Sequence, residues 1–162
     1  MRTPTASWSA ASGWFDPAKA LKSPLEAVLD TSRPSTQPDR PVFVYGTLRR
    51  GQVNDINRLR PAPRYLGPSR LRGTLYDLGP YPGVLLGGAG EVQGEVYVVT
   101  PALERQLDVI EEVAPVPSGE YRRRCVELDV AGQRLRCLVY ELDPARVPGR
   151  AVIASGDWLQ RR

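Results

Sequence analysis

Residues 42–51 read VFVYGTLRRG, an apolar, β-favouring run that breaks abruptly at Gly46 and Thr47. A strand that stops at a glycine can turn sharply and bring consecutive backbone N–H groups to one point, because glycine has no side chain to restrict its conformation. Converging N–H groups can bind an anion without a basic side chain. The segment alone therefore fits two interpretations: a strand that ends in a cradle for a small carboxylate or phosphate, or a buried first strand that ends in an ordinary turn.

The composition favours one β-rich domain. The chain has 162 residues, and its 16 prolines and 15 glycines predict many turns between short strands. No apolar run approaches the roughly 20 residues of a bilayer-spanning helix, and the N-terminus lacks the pattern of a secretory signal. We therefore expect a cytoplasmic protein with no membrane partner. Cys125 and Cys137 match no metal-binding spacing and are predicted to be reduced, packed thiols.

The formal net charge of +4 does not indicate a nucleic-acid partner. Nucleic-acid binding needs basic residues clustered on one face together with exposed aromatic residues. The only dense basic run, at residues 122–124, lies in a predicted strand, where successive side chains point to both faces of the sheet. We therefore expect no nucleic acid among the partners.

The residue types that are missing limit the chemistry. The sequence contains no histidine, and its last lysine is Lys22. A Ser-His-Asp triad, a Cys-His pair, a histidine-ligated zinc site and a P-loop lysine are therefore all excluded from the part after Lys22. Acid–base chemistry near neutral pH must then come from a carboxylate with a raised pKa or, less directly, from a tyrosine or a cysteine.

The sequence divides into an N-terminal extension over residues 1–40 and a domain over residues 41–162. The extension starts with a Ser/Thr/Ala-rich segment, its leucine spacing predicts a short amphipathic helix over residues 16–30, and its proline-rich part over residues 31–41 is typical of a linker. A short helix is marginally stable alone. We therefore expect the extension to be weakly ordered or to act as a docking arm.

In the domain, strands and turns surround one helix. A capping hydroxyl followed by proline predicts that helix over residues 101–113. Gly87–Gly90 predicts a turn, and Gly94 marks a bulge or bend in its strand. Strands are predicted over 42–45, 70–78, 84–86, 91–99, 121–130 and 134–142, with a short closing element over 151–159. This order predicts a small, partly closed sheet with helices outside it.

Projection of the predicted helix identifies one candidate acid. The apolar stripe consists of Leu103, Leu107 and Ile110. Glu111 falls on the edge of this stripe in the last turn, where burial and the negative end of the helix dipole would both raise its pKa. Glu104 and Asp108 lie further from the stripe, and Glu112 lies opposite it and should be solvated. Glu111 is therefore either an acid–base group or a boundary glutamate whose carboxylate reaches solvent.

Five segments in order resemble the γ-glutamyl cyclotransferase-like family, which includes γ-glutamylamine cyclotransferases and the AIG2-like group. They are VFVYGTLRRGQ (42–52), PYPGVLL (80–86), GEVYVV (94–99), LDVIEE (107–112) and YRR (121–123). The resemblance spans residues 42–142. It implies an α+β fold with a small mixed, partly closed, β-barrel-like sheet, one main helix and short flanking helices.

The resemblance also assigns site residues. The α-carboxylate of a γ-glutamyl substrate would be held by the backbone amides of Tyr45, Gly46, Thr47 and Leu48. Glu111 matches the family's catalytic glutamate, and Tyr121 matches a tyrosine near the pocket. Many relatives have a small residue directly after the catalytic glutamate, where this sequence has Glu112.

The activity implied is the conversion of a γ-glutamyl-amine or γ-glutamyl-peptide to 5-oxoproline and a free amine, by attack of the substrate's own α-amine on its γ-carbonyl. An intramolecular attack gains most from correct positioning, and one glutamate can transfer the proton. We therefore expect no metal and no cofactor, a small-molecule γ-glutamyl substrate, and a monomer or homodimer. The alternatives are a catalytically silent module of the same fold that binds a small carboxylate, and an interaction protein that acts through its N-terminal arm.

Overall fold

The computed structural model describes residues 37–161. The helix predicted over residues 16–30 and most of the linker predicted over residues 31–41 lie outside the described residues, so the division at residue 41 stays a prediction. The strands are β1 (Arg40–Val44), β2 (Arg64–Asp77), β3 (Pro82–Val99), β4 (Tyr121–Val130), β5 (Gln133–Leu142) and β6 (Ala151–Val152). Helix α1 is Pro101–Ile110, and short 3-10 helices cover Ile56–Arg58, Pro144–Arg146 and Trp158–Gln160.

The strands form one mixed sheet in the order β4-β5-β1-β3-β2-β6. β1 pairs in parallel with β5, and the other neighbours pair antiparallel. A contact between two strands that are not neighbours shows that the sheet curls. The Ser69 hydroxyl on β2 donates a hydrogen bond to the Asp129 carbonyl on β4 (2.9 Å), and three strands lie between β2 and β4 in the sheet order. The α+β half-barrel with one main helix confirms the predicted fold class.

β1 lies at the centre of the sheet and is buried on both faces. Val42 and Val44 pack in the cluster that contains the apolar stripe of α1, whereas Phe43 and Tyr45 pack in a second cluster on the other face. A strand buried on both faces needs apolar residues at every position, which is why this segment reads as a continuous apolar run. The loop that follows is therefore attached to a fixed strand.

Two predicted strands are joined in the structure. The segments predicted over residues 84–86 and 91–99 are parts of β3, which pairs along the whole of β2. The register jumps from Arg72 opposite Glu91 to Gly73 opposite Leu86, so residues 87–90 form a bulge without partners in register. The turn predicted at residues 87–90 is therefore a bulge inside β3. β2 begins at Arg64, six residues earlier than predicted.

Gly94 does not mark the bulge or bend that the sequence predicts. It pairs with Ser69 in regular register. A Cβ atom at this position would lie 2.4 Å from Cζ of Phe43 and 2.5 Å from the carbonyl oxygen of Val44. The glycine is needed because the backbone of β3 approaches β1 closely, and the pairing shows no shift where a bulge or bend was predicted.

The two cysteines are free thiols. Cys137 is buried as predicted, but Cys125 is exposed. On the paired strands β4 and β5, Cys125 lies opposite Leu138 rather than opposite Cys137. Because side chains alternate between faces along a strand, the two sulfur atoms belong to opposite faces of the hairpin.

Candidate active site

The loop after β1 has three consecutive N–H groups without a hydrogen-bond partner among the described residues 37–161. The carbonyls of Gly46, Thr47 and Leu48 accept hydrogen bonds from the backbone of the following turn, at 2.9–3.0 Å. Within residues 37–161, no hydrogen bond uses the N–H groups of the same three residues, although all three residues are buried. Buried N–H groups without an acceptor are rare in folded proteins. Converging N–H groups without an acceptor are what a site for an external anion requires.

Two neighbours hold the loop close to β3 and to the following turn. A Cβ atom on Gly46 would lie 2.6 Å from Cγ of Pro82, so only glycine fits there. The amide of buried Asn54 donates to the Thr47 hydroxyl (3.2 Å), and the Asn54 N–H donates to the Thr47 carbonyl. Sequence reasoning gave no role to Pro82 or Asn54, because both act through contacts that form only in the fold.

All six predicted site residues border one pocket at the end of β1. Its walls are Phe43, Val44, Tyr45, Gly46, Thr47, Leu48, Pro82, Glu111, Tyr121 and Tyr140. None of these residues is basic. An anion in this pocket would therefore meet backbone N–H groups on one side and the Glu111 carboxyl group on another.

Glu111 is a buried carboxyl group that has no hydrogen-bond partner in the described part of the chain. It follows the last residue of α1 and is 7% exposed, and its carboxylate accepts no hydrogen bond from any residue within 37–161. Burial raises the pKa of Glu111 from 4.5 to about 8, and the negative charges of Glu120, Glu112 and Asp108 contribute in the same direction. Such a group can accept and return a proton near neutral pH.

Comparison of the sequence with known protein families identifies the family of this chain. The sequence profile described as "Gamma-glutamyl cyclotransferase, AIG2-like" matches residues 42–160. The chain belongs to this cyclotransferase family. The resemblance drawn from the five sequence segments is thereby confirmed.

Individual relatives of the cyclotransferase family match most of the domain. A Vibrio cholerae protein with the provisional name gamma-glutamylcyclotransferase is 41% identical over 128 residues, which cover 74% of this chain and 96% of that protein. The gamma-glutamylaminecyclotransferase of Bos taurus is 38% identical over 114 residues, which cover 62% of this chain and 64% of that protein. Among solved structures, an AIG2-like protein of Mus musculus superposes with a TM-score of 0.60 at 27% identity, covering 78% of this chain and 86% of that chain.

In this cyclotransferase-family chain, the tyrosines of the pocket form its wall. Tyr121 donates to the Pro82 carbonyl and Tyr45 donates to the Tyr140 carbonyl, both at 2.7 Å. Burial raises the pKa of each of these three tyrosines well above 10, so all three stay neutral near pH 7. Tyr140 was not predicted from the sequence, because only its pairing on β5 brings it beside β1.

Two acids on α1 are more buried than the helical projection predicted. Glu104 and Asp108 are buried to the same degree as Glu111. Arg123 of β4 covers them: its Nη1 lies 2.5 Å from Asp108 Oδ2, and its Nη2 binds Glu104. The Tyr140 hydroxyl also donates to Asp108 (2.7 Å). These carboxylates are occupied by partners, which distinguishes them from Glu111.

Helix α1 ends at Ile110 and not at residue 113 as predicted, because the chain reverses at Glu112. The Val113 N–H donates to the Asp108 carbonyl (2.9 Å) and the Glu112 N–H donates to the Val109 carbonyl (3.1 Å). This pair of hydrogen bonds is the Schellman motif, in which the penultimate residue adopts a left-handed conformation and is usually glycine. Glu112 has φ of 57° and is half-buried, so the prediction that it is solvated on the helix surface is wrong.

The left-handed conformation at Glu112 favours a residue that adopts positive φ at little steric cost, above all glycine. We expect Glu112→Gly to raise the free energy of unfolding by about 1 kcal/mol, because glycine adopts positive φ without steric cost. Denaturant unfolding near pH 7 measures the change. Glu112→Ala removes the same charge but keeps the steric cost, and equal stability gains in both variants would contradict the explanation.

The described residues contain neither a cluster of metal-ligating side chains nor a membrane-spanning helix. Within residues 37–161, no group of three or more His, Cys, Asp or Glu side chains is arranged to hold a metal ion. In the same range, no helix has the length and apolar character needed to cross a membrane. The cytoplasmic location, and the choice between monomer and homodimer, stay predictions.

Proposed function

We propose that this protein converts a γ-glutamyl-amine or γ-glutamyl-peptide to 5-oxoproline and a free amine. The observation that carries the proposal lies in one pocket: three backbone N–H groups and one buried carboxyl group that have no hydrogen-bond partner among residues 37–161. Membership of the γ-glutamyl cyclotransferase family supports the same reaction class. The N–H groups suit the α-carboxylate of a γ-glutamyl group, and the carboxyl group suits its α-ammonium group.

In the proposed complex, the α-carboxylate accepts hydrogen bonds from the N–H groups of the loop, including those of Gly46, Thr47 and Leu48. The α-ammonium group faces Glu111. Tyr45 and Tyr121 form the wall, and their hydroxyls already donate to backbone carbonyls, so they orient the substrate by shape rather than by proton transfer. The α-carboxylate and the α-ammonium group are then held in the pocket, and the side chain of the substrate folds so that its γ-carbonyl carbon approaches the α-nitrogen.

The proposed reaction forms one C–N bond and breaks another. Glu111 takes a proton from the α-ammonium group, and the freed amine attacks the γ-carbonyl carbon to close the five-membered ring. The bond to the leaving nitrogen then breaks, and Glu111 returns the proton to that nitrogen. The ring nitrogen gives up its second proton in the same step, and Glu111 passes this proton also to the leaving amine, which departs as an ammonium ion. Glu111 ends as it began, so no further reactant is needed. Holding the two ends of one molecule together supplies much of the rate enhancement.

A turnover screen tests the proposal. The full chain is incubated with a panel of γ-glutamyl-amines and γ-glutamyl-peptides, and 5-oxoproline and the free amine are quantified by mass spectrometry. Equal amounts of the two products support the proposed reaction. Binding of 5-oxoproline without turnover of any compound would favour the alternative, a silent carboxylate-binding module.

The pH dependence of turnover should follow Glu111. Because the free enzyme must hold Glu111 as a carboxylate to accept a proton, we expect kcat/KM to rise about tenfold per pH unit at acid pH and to level off near pH 8. Among the neighbouring charges Glu120 raises this pKa most, so Glu120→Gln should move the rising limb to lower pH. A limb near pH 4.5 in the parent enzyme would contradict the assignment of the base.

A further inference from the structure

Arg49 directly follows the three free N–H groups and lies between two carboxylates. Its Nε is 3.0 Å from Glu95 Oε2 on β3, and its Nη1 is 2.8 Å from Asp157 Oδ1 near the end of the domain. The side chains of all three residues are only 11–15% exposed. We call Arg49, Glu95 and Asp157 the loop clasp.

Glu95 holds the loop at a second point. Its other oxygen, Oε1, accepts hydrogen bonds from the Arg50 backbone N–H (3.0 Å) and from the Tyr97 hydroxyl (2.9 Å). Glu95 lies opposite Val44, the last residue of β1. One carboxylate therefore fixes a side chain and a backbone group of the loop against the strand that neighbours β1.

Asp157 holds Arg49 from the other side. The same Oδ1 atom also accepts the N–H of Leu159 and thereby caps the last 3-10 helix. The segment before it is attached to β3, because the Gln93 N–H donates to the Gly156 carbonyl (2.8 Å). The C-terminal segment is thus joined to the loop after β1 through one guanidinium group.

The clasp positions the loop and does not itself bind an anion. Arg49 carries one positive charge and faces two negative ones, so it adds no net positive charge beside the pocket. It is also not among the residues that form the pocket wall. A partly buried ion pair adds little net stability compared with apolar residues of the same size, because both charges lose water. Its main consequence here is a fixed direction of the loop backbone.

We propose that Glu95 is a positioning residue for the reaction, which acts through Arg49 and Arg50 to hold the N–H groups of Gly46, Thr47 and Leu48 in the arrangement that binds the substrate's carboxylate. This inference rests on the proposed function for the identity of the anion. The arrangement of the loop itself does not depend on it.

The test compares Glu95→Gln and Asp157→Asn with a matched control. Both variants keep a hydrogen-bond acceptor but lose the charge that holds Arg49. Glu91→Gln is the control, because Glu91 also lies on β3 and pairs with an arginine (Arg70, 3.4 Å), but this pair is exposed. We expect the dissociation constant for 5-oxoproline, and KM for the best γ-glutamyl compound of the screen, to rise roughly tenfold in both clasp variants. The control should stay unchanged.

The division between kcat and KM separates positioning from general stability. Lost carboxylate binding raises KM and leaves kcat within about threefold of the parent value. If Glu95→Gln lowers only the melting temperature, and binding and KM stay at the parent values, the clasp is merely structural and the proposal is wrong. A drop in kcat at constant KM would overturn it as well.

A second measurement stays informative if no γ-glutamyl compound is turned over and 5-oxoproline does not bind. NMR relaxation of the full chain without ligand reports the backbone order of Gly46, Thr47 and Leu48. We expect order parameters of about 0.85 in the parent and in Glu91→Gln, and below about 0.6 in Glu95→Gln. Unchanged order in Glu95→Gln would overturn the positioning role, whereas failure of the parent to bind or turn over substrate would overturn only the proposed function.

Discussion

The Glu111→Gln variant is expected to release 5-oxoproline roughly 10²–10⁴-fold more slowly than the parent enzyme and to keep its fold. Glutamine has nearly the shape of glutamate but cannot take the proton of the α-ammonium group, so the amine stays protonated and cannot attack. The N–H groups proposed to bind the carboxylate are unchanged. The loss should therefore appear in kcat, with little change in KM. Steady-state kinetics with the best compound of the screen measure both constants.

The same variant has a second expected property, which identifies the cause of the loss. The pKa of Glu111 is about 8 in the folded protein and near 4.5 in an unfolded chain. Below pH 4.5 both states hold the proton. Between pH 4.5 and 8 only the unfolded state releases it, so the parent loses stability, and above pH 8 the loss is complete, on the order of a few kcal/mol. Glutamine does not titrate, so the variant should be more stable than the parent at pH 9 and similar to it near pH 4.5.

Glu112→Gln is the control for this experiment, because it changes the neighbouring acid in the same way. Glu112 does not border the pocket, and it lies at the left-handed residue where the chain reverses after α1. We expect its kcat to stay within about threefold of the parent value. Full activity in Glu111→Gln, or a loss in Glu112→Gln as large as that expected for Glu111→Gln, would contradict the choice of catalytic acid.

The elements that the sequence predicted well are those determined locally. The apolar run of β1 and its break at Gly46 follow from residue types alone, and so do the hairpin of β4 and β5 and the proline start of α1. Glu111 lies against the core because it directly follows α1 beside the apolar stripe. Its position relative to that stripe is also determined locally. The meeting of Glu111 with the loop in one pocket was expected from the family resemblance and not from spacing.

What the sequence did not predict depends on contacts between distant segments. The helical projection assumes that one face of α1 is covered, so it could not show that Arg123 of β4 covers Glu104 and Asp108 on a second face. Tyr140 and Pro82 reach the pocket only through strand pairing. The role of Glu95 in the loop clasp was hidden for the same reason, since Arg49 lies 46 residues before it.

Gly94→Ala is expected to lower the free energy of unfolding. The new Cβ atom would lie 2.5 Å from the Val44 carbonyl oxygen and 2.4 Å from the Phe43 ring. The ring could rotate only within a filled core, and the carbonyl belongs to the paired backbone of β1 and β3. Forcing extra volume into a packed core costs about 1–3 kcal/mol. Alanine also restricts the unfolded chain, which offsets about 0.4–1 kcal/mol of that cost.

Gly88→Ala separates this close approach from the general cost of replacing a glycine on β3. Gly88 has φ of 82° and no atom within 4 Å of its would-be Cβ, so its substitution costs only the left-handed conformation, about 1 kcal/mol, and the same restriction of the unfolded chain offsets part of this cost. Denaturant unfolding of both variants should show the larger loss for Gly94→Ala, although Gly94 has the ordinary backbone conformation. Val44 is the last residue of β1 and precedes the loop with the three N–H groups. Displacement of β1 should therefore also weaken 5-oxoproline binding in Gly94→Ala and not in Gly88→Ala. Equal losses of stability would mean that β3 can move away from β1, and that the close approach does not fix the strand that carries the loop.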